Sequence, residues 1–270
     1  MPNADQLPSL VQLLEDDTIR PSVMKQLAAL GPSLENEIER QKISLNGEQA
    51  RLIRSLLDQP YREWLTRSWK SWFEKKNDKE QLETGLDILS QFQLGRLYPT
   101  KVGVLLDSLA VEFDARYAQR DVLDLSEFLF QGYGLHGADQ EDYYNPLNSN
   151  LVHVIERQRG IPISLACIYI LVGNRLGLTI EGCNFPGHFL AVASTKRQKV
   201  IVDCFNGGTF IDEESPTAVN AQLTRQDILR LQCDATAIIV RVLRNLANAY
   251  QQNGEEANAQ LMIELRRGME

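Results

Sequence analysis

The sequence predicts an α+β protein, and three observations carry that prediction. Residues 1–70 show apolar positions spaced three and four apart, the period of helices packed on one face. Residues 164–176 are apolar on nearly every side and lie between Pro162 and Gly177. Beyond Gly177 the apolar period changes to two, in TIEGCNF, HFLAVAS, KVIVDCF and TFIDE, which read as strands. A central helix followed by an antiparallel sheet is the α+β order.

Each element has its own signal. In SLVQLLEDD, Leu10, Leu13 and Leu14 repeat at helical spacing, and Ser9 is placed to cap. RPSVMKQLAALG carries Pro21 in a first turn and stops at Gly31–Pro32. These two helices resemble one HEAT-type unit, whose apolar face needs a further partner. GEQARLIRSLLDQ predicts a helix from Gly47 to Asp58, ended by Pro60. Trp64, Trp69, Trp72 and Phe73 follow as an aromatic group suited to packing, and KKNDKE reads as a linker.

Residues 86–129 predict two helices, and residues 130–150 a long polar loop of the kind that often carries function. LVHVIERQRG predicts a short helix capped by Ser149 or Asn150. Residues 227–267 predict two helices broken at Asn253–Gly254, similar to one tetratricopeptide unit. The expected organisation is a helical region over 1–75, a central domain over 76–225 and a helical hairpin over 226–270.

Composition excludes several classes. Of 270 residues, 43% are hydrophobic and 24% charged, as in a globular domain. The net charge of −8 argues against a nucleic-acid partner, which usually meets a basic face. No run is long enough for a bilayer helix, and the first residues lack the basic start and apolar core of a signal peptide. A cytoplasmic protein without a membrane partner is expected. Cys167, Cys183, Cys204 and Cys233 form no CxxC pair, so reduced, partly buried thiols are expected. His136, His153 and His188 have no zinc-ligand spacing with them, so neither metal nor cofactor is expected.

The hairpin HFLAVAS–TKRQ–KVIVDCF sets His188 opposite or diagonal to Asp203, within side-chain reach. A carboxylate there would orient the imidazole and stabilise its protonated form. A nucleophile is best served at a helix N-terminus, where the dipole favours an anion and free N–H groups can cradle an oxyanion. Ser164 lies in the first turn of the central helix, and Cys167 a turn later.

These stretches resemble the transglutaminase-like superfamily, relatives of the papain-like thiol proteases. The resemblance is closest to the SirB1 N-terminal family of bacteria, whose members often carry tetratricopeptide units. It rests on LSEFLFQGYGLHGADQEDYYNPLNSNLVHVIERQRGIPISLACIYILVGNRLGL, GCNFPGHFLAV and VDCFNGGTFI, in that order. The resemblance implies a Gly-Xaa-Cys before the central helix, a small residue four beyond the Cys and a Gly fifteen beyond it. Here Gly160-Ile161-Pro162 fills the motif, with Ala166 and Gly177 at the later positions, so Pro162 stands where the nucleophile belongs.

Three readings follow. Ser164 could act as nucleophile with His188 and Asp203, giving an acyl-transferring or amide-hydrolysing enzyme. Cys167 could substitute, against its setting in an apolar run. Or the site binds without covalent chemistry, in a binding or regulatory protein whose partner is a protein or peptide. A structural interaction module using the helical ends is a further alternative. Asn148, Ser149, Asn206, Gly207 and Gly208 are the candidate binding residues. Glu156 and Arg157 suit structural ion pairs.

Overall fold

A computed structural model describes residues 6–211 and 225–269. The fold is mostly helical α+β, as the sequence predicts, with N-terminal helices, an antiparallel sheet and a C-terminal helix pair. The chain divides into two compact units, Met1–Lys70 with Ile88–Lys101, and Ser71–Asp87 with Val102–Glu270.

The first unit contains α1 (Leu7–Leu13), α2 (Arg20–Ala28), α3 (Leu34–Arg40), α4 (Gly47–Ser55) and α5 (Asp58–Ser68). Leu7, Leu14, Leu27, Leu34, Ile38 and Leu65 are buried at its core. Asn46 caps α4 in a reciprocal capping box with Gln49. Two sequence expectations are corrected here. Ser9 lies inside α1 and caps nothing, because Pro8 takes the first turn. Pro60 does not end the fourth helix, which stops at Ser55; it sits in the first turn of α5, where its missing N–H has no intrahelical acceptor to lose.

This unit also buries a polar network. Glu35 on α3 is 5% exposed. Its Oε2 accepts from Arg96 Nη2 at 2.5 Å and from Arg96 Nε at 3.1 Å. Its Oε1 accepts from the Tyr61 hydroxyl, whose oxygen in turn accepts from Arg96 N at 2.6 Å. Burial, with Glu35's charge, pushes the Tyr61 phenol well above its ordinary range. Arg54 stacks on the Tyr61 and Phe92 rings, 4.2 Å and 5.0 Å from their centres, and pairs with Asp58 at 2.6 Å.

Beyond a short helix α6 (Lys70–Phe73), α7 (Asp78–Leu94) starts eight residues before the predicted Leu86. Then come α8 (Val102–Arg116) and α9 (Val122–Glu127), so residues 86–129 hold part of α7 and two further helices instead of two in all. Of the aromatics, Trp69 and Trp72 are buried and Phe73 is 53% exposed.

The second unit carries the sheet. A two-residue parallel pair, β1 (His136–Gly137) and β2 (Arg159–Gly160), flanks α10 (Leu151–Arg157). Asn150 caps α10 by accepting from His153 N, one of the two predicted caps. α11 (Pro162–Arg175) is the central helix, with every residue from Pro162 to Gly173 buried. Gly177, at φ 75°, follows its end. β3 (Ile180–Cys183), β4 (Leu190–Ser194), β5 (Lys199–Asp203) and β6 (Thr209–Ile211) occupy the predicted strands. Asp212 and Glu213, the end of the predicted TFIDE strand, lie outside the described residues.

After α12 (Arg225–Leu229) comes β7 (Gln232–Cys233), which completes the order β6-β5-β4-β3-β7 with antiparallel neighbours throughout. β7 pairs only through Gly182–Cys233 and Cys183–Gln232, too short a strand to leave a periodic signal. α11 packs on β3 and β4, so the apolar helix and the alternating strands cover one another. α13 (Ala235–Gln252) and α14 (Glu256–Arg267) pack together across the predicted break at Asn253–Gly254.

Candidate active site with a histidine–aspartate pair

The β4–β5 register positions the site. Ala191 pairs with Val202, which puts Leu190 opposite Asp203 and His188 diagonal to it on the same face. His188 itself lies ahead of the strand, in the turn Pro186–His188, rather than opening it as the alternation predicts. Its Nε2 is 2.9 Å from Asp203 Oδ1. A carboxylate only accepts, so Nε2 carries the proton and Nδ1 is the nitrogen left for a ligand or reacting group. Among the described residues Nδ1 makes no hydrogen bond.

Asp203 is 8% exposed and held by several donors. Oδ1 also accepts from Phe205 N at 3.1 Å and Asn206 N at 3.2 Å, and Oδ2 accepts from Asn206 Nδ2 at 2.7 Å. Burial alone would raise the carboxyl's pKa. The hydrogen bond to His188 and the positive charge of its imidazolium form, with hydrogen bonds from Asn206, outweigh burial and hold it below the ordinary carboxylate value. The loop beyond Asp203 is tied back by Gly208 N donating to Asp203 O at 3.0 Å and Ser126 Oγ donating to Gly208 O at 3.0 Å. A Cβ on Gly208, at φ +71°, would overlap the Phe130 ring and Ser126 Oγ. Gly207, at φ +70°, has nothing within 4 Å.

The candidate nucleophiles are engaged elsewhere. Ser164 is 2% exposed; its hydroxyl lies 2.7 Å from Asn148 O and 2.9 Å from Ile161 O, and neither partner is His188. Both neighbours are acceptors, so the proton points at main-chain carbonyls. Cys167 is fully buried, and burial drives its thiol far above the ordinary range. Burial likewise pushes Cys183 to about 12 and Cys233 to about 11. Pro162 opens α11, is buried and has no nucleophilic atom.

Of the candidate binding residues, Asn206 joins the His188–Asp203 group, and Gly207 and Gly208 form the turn after it. Asn148 and Ser149 are buried in a 3-10 turn, Pro146–Ser149; Asn148 Nδ2 donates to Asp142 O at 2.5 Å, and its carbonyl accepts from Ser164. Glu156 and Arg157 lie on α10.

Three neighbours of His188 escaped the sequence reading. The Phe205 ring stands edge-on to the imidazole, centres 6.0 Å apart, and Tyr143 stands edge-on to Phe205 at 6.3 Å. Arg241 on α13 donates to Asn184 Oδ1 at 2.7 Å and to His188 O at 3.4 Å, bracing the turn. Phe205 was legible as a neighbour of Asp203. Arg241 lies 53 residues beyond His188, and only the packing of α13 brings it there. Among the described residues no group of His, Cys, Asp and Glu could hold a metal ion, and no helix is long and apolar enough to cross a membrane.

A buried helix laid on an antiparallel sheet, with a histidine ahead of one strand and its carboxylate on the next, is the class of architecture the sequence resembled. Residues 100–244, more than half of the chain, match the Transglutaminase-like superfamily, and the chain belongs to it. It is similar to a UPF0162 protein of Xylella fastidiosa (strain 9a5c), 36% identical over 172 residues, 57% of this chain and 60% of that relative. It is also similar to F-box only protein 21 of Mus musculus, 39% identical over 72 residues, 27% of this chain and 12% of that protein. A UPF0162 protein of Vibrio cholerae is 33% identical over 79 residues, 29% of each chain. This chain thus spans 60% of the first of these relatives' length. No solved structure matches it.

Proposed function

We propose that this chain is a binding or regulatory protein of the SirB1 type, built on a transglutaminase-like site that holds the base pair without a nucleophile. The observation that carries the reading is the Ser164 hydroxyl, bonded to the carbonyls of Asn148 and Ile161 and not to His188. A base activates a nucleophile only through a hydrogen bond to it or a bridging water. The buried thiol of Cys167 and the proline at 162 support the same reading. The partner is a protein or peptide that presents a polar group to His188 Nδ1, in the cytoplasm. The α13–α14 pair is a tetratricopeptide-like hairpin behind the domain.

Labelling tests this. The folded protein is treated at neutral pH with a fluorophosphonate and, separately, with iodoacetamide, and digested for mass spectrometry. The expected result is no modification at Ser164 or Cys167 until the protein is denatured. Stoichiometric labelling of native Ser164 that disappears in His188→Ala would overturn the reading and make the chain a serine acyltransferase or hydrolase.

A further inference from the structure

Arg241 is out of balance with its surroundings. It is partly buried. Its bonds go only to neutral oxygens, Asn184 Oδ1 and His188 O, and among the described residues it has no carboxylate partner. Arg244, one turn along α13 and exposed, brings a second positive charge towards it and makes no ion pair with a described residue. Burial first, and then Arg244's charge, lower the Arg241 pKa, the sign of a cation short of a counter-charge. This occurs in a chain with 36 acidic residues against 28 basic ones. Two other half-buried arginines are matched by carboxylates: Arg175 pairs with Glu83 and Asp107, and Arg96 with Glu35.

From Arg241 a chain of contacts runs through the His188 turn to two aromatic rings. The guanidinium reaches the main-chain oxygen of His188, the His188 ring stands edge-on to Phe205, and Phe205 stands edge-on to Tyr143. One cation with spare N–H donors thus adjoins the turn that carries a ring nitrogen without a described partner and its run of two aromatic rings. A guanidinium presents five N–H donors in a planar fork that fits carboxylate and phosphate oxygens.

We propose that this spot takes an oxyanion, the carboxylate or phosphate group of a ligand, on Arg241 with support from Arg244, while the rest of the ligand lies along Tyr143 and Phe205 towards His188 Nδ1. The proposal rests on the binding reading above and names the chemistry of what is bound. Carboxylate and phosphate share that chemistry, and separate probes distinguish them.

The test uses the full chain, with inorganic phosphate and succinate as probes, each titrated at constant ionic strength. Binding is followed by calorimetry and by the imidazole signals of the three histidines. The expected result is saturable binding of at least one probe, with movement of the His188 signal. Arg241→Gln should weaken it about tenfold or more, and Arg244→Gln by less. Arg241→Lys, which keeps the charge and removes the fork, should fall between wild type and Arg241→Gln, and it stands in if Arg241→Gln does not fold. Absence of saturable binding of both probes overturns the proposal. So does binding that a folded Arg241 variant leaves unchanged, or binding that leaves the His188 signal unmoved. The labelling experiment tests the binding reading separately, so an active Ser164 and a missing anion site give different results.

Discussion

Two polar clusters in this chain use the same residue types to opposite ends. Around Glu35, every charge has found its opposite: the carboxylate takes the Arg96 guanidinium on one oxygen and the Tyr61 hydroxyl on the other. Around His188, Asp203 is saturated, yet His188 Nδ1 makes no bond and Arg241 meets only neutral oxygens among the described residues. A closed network fixes a fold. An open one leaves donors and acceptors whose partners must come from outside. On the proposed binding reading, that contrast puts the binding face around His188 and the stabilising network around Glu35.

The largest expected effect belongs to the closed cluster. Glu35→Ala should cost about 2–4 kcal/mol in denaturant unfolding, since it strands the Tyr61 hydroxyl and the Arg96 guanidinium. A loss below about 1 kcal/mol would erase the distinction between the clusters. Next comes the turn under the open site. Gly208→Ala should cost about 2–3 kcal/mol, from a left-handed backbone plus a clash with Phe130, whereas Gly207→Ala should cost about 1 kcal/mol from the backbone alone. Equal losses would mean that the Phe130 contact yields freely. His188→Ala should change stability by less than about 1.5 kcal/mol, as removal of one charge-assisted hydrogen bond at a partly exposed site.

The smallest effect is pH-dependent. The Asp203 carboxyl has a lowered folded-state pKa, so its stabilisation is complete above the ordinary carboxylate pKa of about 4 and is lost as pH falls through the folded value. The stability gap between wild type and Asp203→Asn should therefore narrow on acidification below about pH 4, read from urea midpoints. A gap that widens there would reverse the sign of the linkage.

How much was legible depended on range. The central helix announced itself because Pro162 and Gly177 bracket an unbroken apolar run, and the four longer strands because each alternates. The diagonal placing of His188 and Asp203 followed from hairpin arithmetic alone, since a four-residue turn leaves little freedom of register. Pro60 misled because proline marks helix starts as well as stops. β7 was invisible, with two residues and no alternation. Arg241 and Tyr143 were invisible for another reason: neither is near His188 in the sequence, and tertiary packing alone brings Arg241 to the His188 main chain and Tyr143 to Phe205. Nor could the sequence say that Ser164 turns its proton to Asn148 O and Ile161 O.

The central claim is that a competent His–Asp pair faces a nucleophile position filled by Pro162. Pro162→Cys addresses it directly. A thiol at the first turn of α11 gains from the helix dipole and, if the claim holds, from His188. In the folded variant the introduced thiol should be alkylated by iodoacetamide within minutes at neutral pH, with the rate falling at least tenfold when His188→Ala is added. Slow alkylation, or fast alkylation indifferent to His188, would contradict the claim that Pro162 stands in the nucleophile's place.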